Sequence, residues 1–208
     1  MKTRIITLIT LVTVLSITSL TYAAAKTNDD QITVVATENN INKIEASGNV
    51  EVYITNGDKD QVKVCGDYYA QNALVQDKDG VLRISSYNAD KLVVLVTVAD
   101  LRSITATDNA SIKSYVTFSA IELDVKLDKN ASAQLKLDVF AANITVTEGA
   151  KADLSGSVND YDLNYSHSAK INSTELVAVN STKNNITKKA ANPTEDEDAI
   201  DLDKMASL

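Results

Sequence analysis

The chain has 208 residues, 44% of them hydrophobic, which is enough for one core of ordinary size and excludes wholesale disorder. Twenty Lys and Arg stand against 28 Asp and Glu, a net charge of −8; the cations are scattered and form no phosphate-neutralising cluster, so nucleic acid is not an expected partner. A single Cys and a single His exclude an intramolecular disulfide, a Cys-based zinc site and a His-rich metal centre, and no cofactor or metal is expected.

The segment from Met1 to Ala25 reads as an address. Lys2 and Arg4 precede Ile5–Leu20, sixteen residues diluted by six Ser and Thr, and Thr21-Tyr22-Ala23-Ala24-Ala25 then offers small residues for a cut after Ala23 or after Ala25. The run is short for a membrane anchor, since a bilayer core is about 30 Å thick. No later apolar run approaches a span: Leu92–Val98 is seven residues and fits a buried strand. The expected product is exported to the periplasm, the cell surface or the medium, with no membrane span after cleavage. Losing Lys2 and Arg4 leaves 18 basic against 28 acidic residues, a charge that anionic surfaces repel.

From Ile32 to Val98 the pattern is strands of period two. Val50, Val52 and Ile54 alternate with Asn49, Glu51 and Tyr53; Asn56-Gly57-Asp58 makes a turn; Val62 and Val64 alternate again. Asp77-Lys78-Asp79-Gly80 is a second turn, followed by Val81–Ile84 and then by Leu92–Val98. Within Asp67–Gln76 one short helical turn is expected.

Beyond Ala99 a longer period takes over. Asn109-Ala110-Ser111-Ile112, Asn130-Ala131-Ser132-Ala133, Gly149-Ala150-Lys151-Ala152 and Ser168-Ala169-Lys170-Ile171 share one form: a turn residue, Ala, Ser or Lys, then an apolar residue. The alanines lie 21, 19 and 19 residues apart, and each unit carries a second alternating strand about ten residues later, as in Ile121, Leu123, Val125 and Leu127. Ser47-Gly48-Asn49-Val50 has the same flavour at an irregular spacing. One such unit cannot bury its apolar face alone; stacking units about 4.8 Å apart would pair each strand with its counterpart. The pattern therefore predicts an all-β, right-handed β-helix-like solenoid with coils of about 19–21 residues, the recurrent Ala filling a corner with no spare room. A β-sandwich with long hairpins is the alternative. After Thr182 the alternation stops, and Pro193–Asp198, Asp201, Asp203 and Lys204 read as a disordered acidic tail. The expected organisation is residues 1–25 signal peptide, 26–182 β-domain and 183–208 tail.

Ile41-Asn42-Lys43-Ile44-Glu45-Ala46-Ser47-Gly48-Asn49-Val50-Glu51-Val52-Tyr53-Ile54 resembles the opening of the head GIN domain, a family of Bacteroidetes-type proteins regarded as heads of autotransporter adhesins. Gly57–Val64, Asp79–Ile84 and Leu95–Ile104 follow the family's order of features, and the resemblance covers about residues 32–182. The chain departs from the family's Gly-Ser-Gly corners, with Asn-Ala-Ser and Gly-Ala-Lys in their place, and has Ala99 where a Pro is usual. The resemblance implies a β-helix-like fold on an exported or surface protein; it implies no established activity.

Candidate chemistry is sparse. A glycosidase needs two carboxylates at a set separation beside sugar-stacking rings, but Glu122, Asp124 and Asp128 alternate with apolar residues as a solvated strand face does. With no Trp, sugar platforms would be Tyr53, Tyr68, Tyr69, Tyr87, Tyr115, Tyr161 or Tyr165, and Tyr68-Tyr69 beside Asp67 is the most site-like cluster. His167 between two serines reads as an exposed turn residue, and Cys65 as a buried small hydrophobe. Calcium could meet only Asp58 with Asp60, or Asp77 with Asp79, because the positions before the four tetrads (Asp108, Lys129, Glu148, His167) form no ladder of oxygen ligands. Seven Asn-x-Ser/Thr sequons, beginning at Asn109, Asn130, Asn143, Asn164, Asn172, Asn180 and Asn185, follow from polar turns. No residue is assigned a catalytic or metal-binding role, and the ligand is unknown. The expectation is an exported, non-enzymatic, adhesin-like module that binds a glycan, an envelope component or a protein. A carbohydrate-active enzyme using acids with Arg83 or Arg102, and a purely structural envelope protein, are the alternatives.

Overall fold

The computed structural model describes residues 32–35, 40–65 and 73–186. The expected signal peptide, the Tyr68-Tyr69 pair and residues 187–208 of the expected tail lie outside the described residues. These form thirteen strands: β1 (Ile32–Val35), β2 (Lys43–Gly48), β3 (Val50–Asn56), β4 (Gln61–Cys65), β5 (Leu74–Lys78), β6 (Val81–Ser86), β7 (Leu92–Val98), β8 (Ser103–Thr107), β9 (Ser111–Ser114), β10 (Phe118–Leu127), β11 (Ser132–Val146), β12 (Lys151–Tyr165) and β13 (Lys170–Asn185). The described residues contain no helix, and the fold is all-β.

Period-two patterning is what makes these strands. In β7, Leu92, Val94, Val96 and Val98 are buried while the residues between them are half-buried, and β11 alternates the same way through Ala133, Leu135, Leu137 and Val139. All thirteen strands join one sheet. From β8 onward each pairs in parallel with the strand one unit away: Ala133 lies beside Ala152, and Ala152 beside Ile171. Leu123 likewise lies beside Ala142, and Val125 beside Ile144. The spacing seen in the alanines is thus the distance along the chain between hydrogen-bonded neighbours. A hairpin meander would instead pair the units antiparallel.

The corners explain the tetrads. Asp108-Asn109, Lys129-Asn130 and Glu148-Gly149 all have positive φ, between 46° and 81°. Asn tolerates that region best among residues with a side chain, so these corners do without glycine at two of three sites. Each turn closes on the alanine that follows: Ala110 N donates to Thr107 O at 3.1 Å, Ala131 N to Asp128 O at 3.0 Å and Ala150 N to Thr147 O at 3.0 Å. Those three alanines are fully buried.

Several expectations needed correction. Asn56-Gly57-Asp58 does end β3 and turn the chain, but the strands it joins are not neighbours: β7 lies between them, parallel to β3 and antiparallel to β4. Asp79-Gly80, by contrast, does close a hairpin, with Lys78 opposite Val81 and both turn residues at positive φ. Where two strands per unit were expected, β11, β12 and β13 each run unbroken for 15 or 16 residues, because the second corner keeps its ladder hydrogen bonds. Of Asp67–Gln76, where a helical turn was expected, Leu74–Gln76 are strand and residues 67–72 lie outside the described residues. The last strand also runs to Asn185, past the expected boundary at Thr182. The irregular Ser47-Gly48-Asn49 segment has a simple origin. Its strands β2 and β3 stack on the distant β8 and β9, with Lys43 beside Ser103 and Glu51 beside Ser111, and have β6 and β7 on their other side. Gly48 makes that corner possible, since at φ 80° a Cβ would lie 2.1 Å from the Ser86 carbonyl oxygen.

Candidate functional site

In-register parallel stacking lines up side chains of equal rank on successive strands. On the face formed by β3, β9, β11, β12 and β13, one outward row runs Glu51, Ser111, Ser132, Lys151, Lys170. Two positions further along each strand a second row runs Tyr53, Lys113, Gln134, Asp153, Asn172. The backbone of the residues between them forms the floor of an open groove of about 430 Å³, reaching from Ser111 to Lys170. A second groove of about 390 Å³ runs beside it, flanked by Tyr53, Tyr115, Lys136 and Glu175, and shares Lys113, Gln134 and Asp153 with the first.

At the β3 end of this face sits an ionic cluster. Glu51 is the one buried charged side chain among the described residues. Its Oε1 accepts from Lys113 Nζ at 2.7 Å and from the Tyr53 hydroxyl at 2.5 Å, and its Oε2 from Lys91 Nζ at 3.0 Å. Lys113 Nζ also lies 5.5 Å from the centre of the Tyr53 ring. Hydrogen bonds from Lys113 and then Tyr53 hold the Glu51 carboxyl at a pKa of about 2 against the opposing effect of burial, and the same contact raises that of Lys113. The cluster ties β3 to β9 and to the residue that leads into β7. Lys151 and Lys170 at the far end of the row are different: both are exposed and neither has an ion-pair partner among the described residues.

The residues singled out in the sequence scatter. Tyr53 and Tyr115 meet at the second groove, while Tyr87 is exposed at the Gly48 corner, its hydroxyl 3.5 Å from Asp108. Tyr161 is no sugar platform: it is 3% exposed in the core, and burial pushes its hydroxyl up to about 12. Tyr165 packs partly buried against that core. Cys65 is half-buried where full burial was expected, because it ends β4 next to the sheet's β1 edge. His167 is exposed in the turn before β13. Asp60 serves the backbone, its two carboxylate oxygens accepting from the Ile41 and Ala99 amides. Arg83 pairs with Glu45 at 3.0 Å and Arg102 with Asp100 at 2.5 Å. Glu122 and Asp124 are exposed, and Asp128 accepts from the Thr147 hydroxyl at 2.7 Å. Among the described residues no group of three or more His, Cys, Asp or Glu is placed to hold a metal ion. No helix there is long and apolar enough to cross a membrane.

Sequence reasoning passed over Glu51, Lys91, Lys113, Lys151 and Lys170. The signal for the last two was available: setting the fourth tetrad under the third puts Lys170 against Lys151. The Glu51 cluster gave no such signal, since Lys91 and Lys113 lie far along the chain, just before β7 and on β9.

The model of the family described as "Putative auto-transporter adhesin, head GIN domain" matches residues 40–191. Among solved structures, the chain is similar to one described as a "putative lipid binding protein" from Parabacteroides distasonis, with a TM-score of 0.58 at 9% identity over 73% of this chain and 76% of that one. It is also similar to a "putative adhesin" from Parabacteroides merdae, with a TM-score of 0.53 at 17% identity over 74% and 77%. At such identities the likeness is one of fold. No curated protein matches the sequence.

Proposed function

Since the chain belongs to the head GIN domain family, we propose that it is an exported, non-enzymatic, adhesin-like binding module that holds its ligand along a strand face. Its parallel strands would wind as a right-handed β-helix-like solenoid; the even one-unit offset and the strong right-handed preference of parallel crossovers support this. The observation that carries the binding role is the pair of open grooves between in-register rows, which offer polar side chains at a fixed repeat instead of an enclosed pocket. Such a surface suits a chain-like partner, either a glycan or another envelope component. The solved structure from P. merdae is itself described as a "putative adhesin". The signal-peptide pattern supports a location in the periplasm, at the cell surface or in the medium.

The buried carboxylate does not supply the proton donor that the enzyme alternative would need. Both Glu51 oxygens are held by Lys and Tyr donors, and a carboxyl of pKa about 2 cannot donate a proton as a general acid near neutrality. The test is a glycan array probed with the purified protein, with and without calcium, followed by analysis of the bound glycans for cleavage. Binding without cleavage is the expected result. Cleavage would replace this reading with that of a carbohydrate-active enzyme, and silence on every glycan would remove glycan recognition from it.

A further inference from the structure

Lys151 and Lys170 face the same side of β12 and β13 as direct register partners. Like charges directly opposite on neighbouring strands repel, and strands in a sheet lie only about 4.8 Å apart. The chain carries an excess of acids that could have matched them, yet neither lysine has an ion-pair partner among the described residues. Both line the larger groove together with Lys113. Asp153 lines it too, with Oδ1 accepting from Asn172 Nδ2 at 3.0 Å. Counting Lys91 and Glu51 at its β3 end and Lys136 and Glu175 beside the adjoining groove, the face has five lysines to three carboxylates, a local reversal of the molecule's sign.

We infer that this groove is a binding site for a carboxylated glycan chain, whose acid groups sit against Lys151 and Lys170 and whose hydroxyls meet Ser111, Ser132 and Gln134. This names the ligand class for the binding surface proposed above and rests on that reading. The anion supplies the counter-charge that the paired lysines lack. The hydroxyl and amide side chains between them are ordinary partners for sugar hydroxyls, and Tyr53 and Tyr115 offer rings in the adjoining groove. A polyanion of high charge density fits less well, because beyond this face the net charge of −8 opposes it.

The experiment is a calorimetric titration of the purified protein with oligogalacturonate and with its methyl ester, the same sugar without the charge. Wild type is expected to bind the acid form and to bind the ester at least about tenfold more weakly, with affinity for the acid falling as salt is raised. K151Q/K170Q is expected to lose about fivefold or more of the acid-form affinity, while K126Q, in a groove on another part of the sheet, retains it. The double variant should melt no lower than wild type, since it removes a repulsion; this separates lost binding from lost folding. Equal affinity for acid and ester, or undiminished binding by K151Q/K170Q, would overturn the inference. No acid-form binding by a protein that binds neutral glycans on the array would overturn it too and leave the binding role standing. No binding to any glycan would overturn it and remove glycan recognition from the proposed function as well.

Discussion

At the scale of single residues, the most informative side chain is Glu51. Its pKa in the fold, about 2, lies below the ordinary carboxylate value of 4.5, so its ionised form stabilises the native state. That stabilisation is complete above about pH 4.5 and is lost as the pH falls towards 2. Wild-type Tm is therefore expected to drop across that window by more than that of E51Q, in which the titrating group is absent; parallel curves would contradict the cluster's role. At pH 7, E51Q should cost about 2 kcal/mol by loss of charge-assisted hydrogen bonds, seen as a Tm lower by about 4–8 °C. Gly156 is a second sensitive position. Its φ is 102°, and a Cβ there would lie 2.0 Å from the Leu137 carbonyl oxygen on the next strand. Gly156→Ala should destabilise by about 2 kcal/mol or more in urea unfolding, through backbone strain and a broken rung. Neither residue's importance was legible in the sequence: Glu51 reads as one polar position in an alternating strand, and Gly156 as one small residue among Ser155 and Ser157. Both depend on strands far away or one unit away in the chain.

At the scale of the element, the repeated corner is where sequence and structure agree best. Each of the first three tetrads combines a residue tolerant of positive φ with a buried Ala, and local chemistry alone dictates both, so these tetrads could be read directly. Ala131→Leu places three extra carbons where Ala131 is wholly enclosed between Ala110 and Ala150, and should cost about 1–3 kcal/mol by overpacking. The same change at half-buried Ala169, in the last corner, should cost visibly less. Equal effects at the two sites would mean that the corners do not stack. Strand pairing was less legible. Alternation in β3 and β4 matches a hairpin as well as it matches two strands flanking β7, since period two fixes which residues face the core and not which strand lies alongside.

At the scale of the whole molecule, stacking turns a weak sequence repeat into a grooved face, the surface proposed to bind. Single units offer a Ser, a Lys or a Gln to water; parallel pairing at one-unit offset sets them in rows with grooves between. The all-β class and the period of the units were readable because both recur in the chain. The placement of β2 and β3 between the β6–β7 and β8–β9 pairs was not, because pairing between strands so far apart in the chain has no local signature. Register is therefore the quantity on which the grooves, the lysine pair and the proposed binding role all depend. Cysteine pairs measure it in solution. In a Cys65→Ser background, Lys126→Cys with Thr145→Cys joins direct register partners, whereas Lys126→Cys with Asn164→Cys spans two rungs. A disulfide needs its Cα atoms within about 7 Å, which one rung of about 4.8 Å satisfies and two rungs do not. Mild oxidation followed by intact-mass analysis is expected to show an intramolecular disulfide in the first protein and free thiols in the second. A disulfide in the second, or none in the first, would contradict the stacked arrangement on which the proposed binding surface rests.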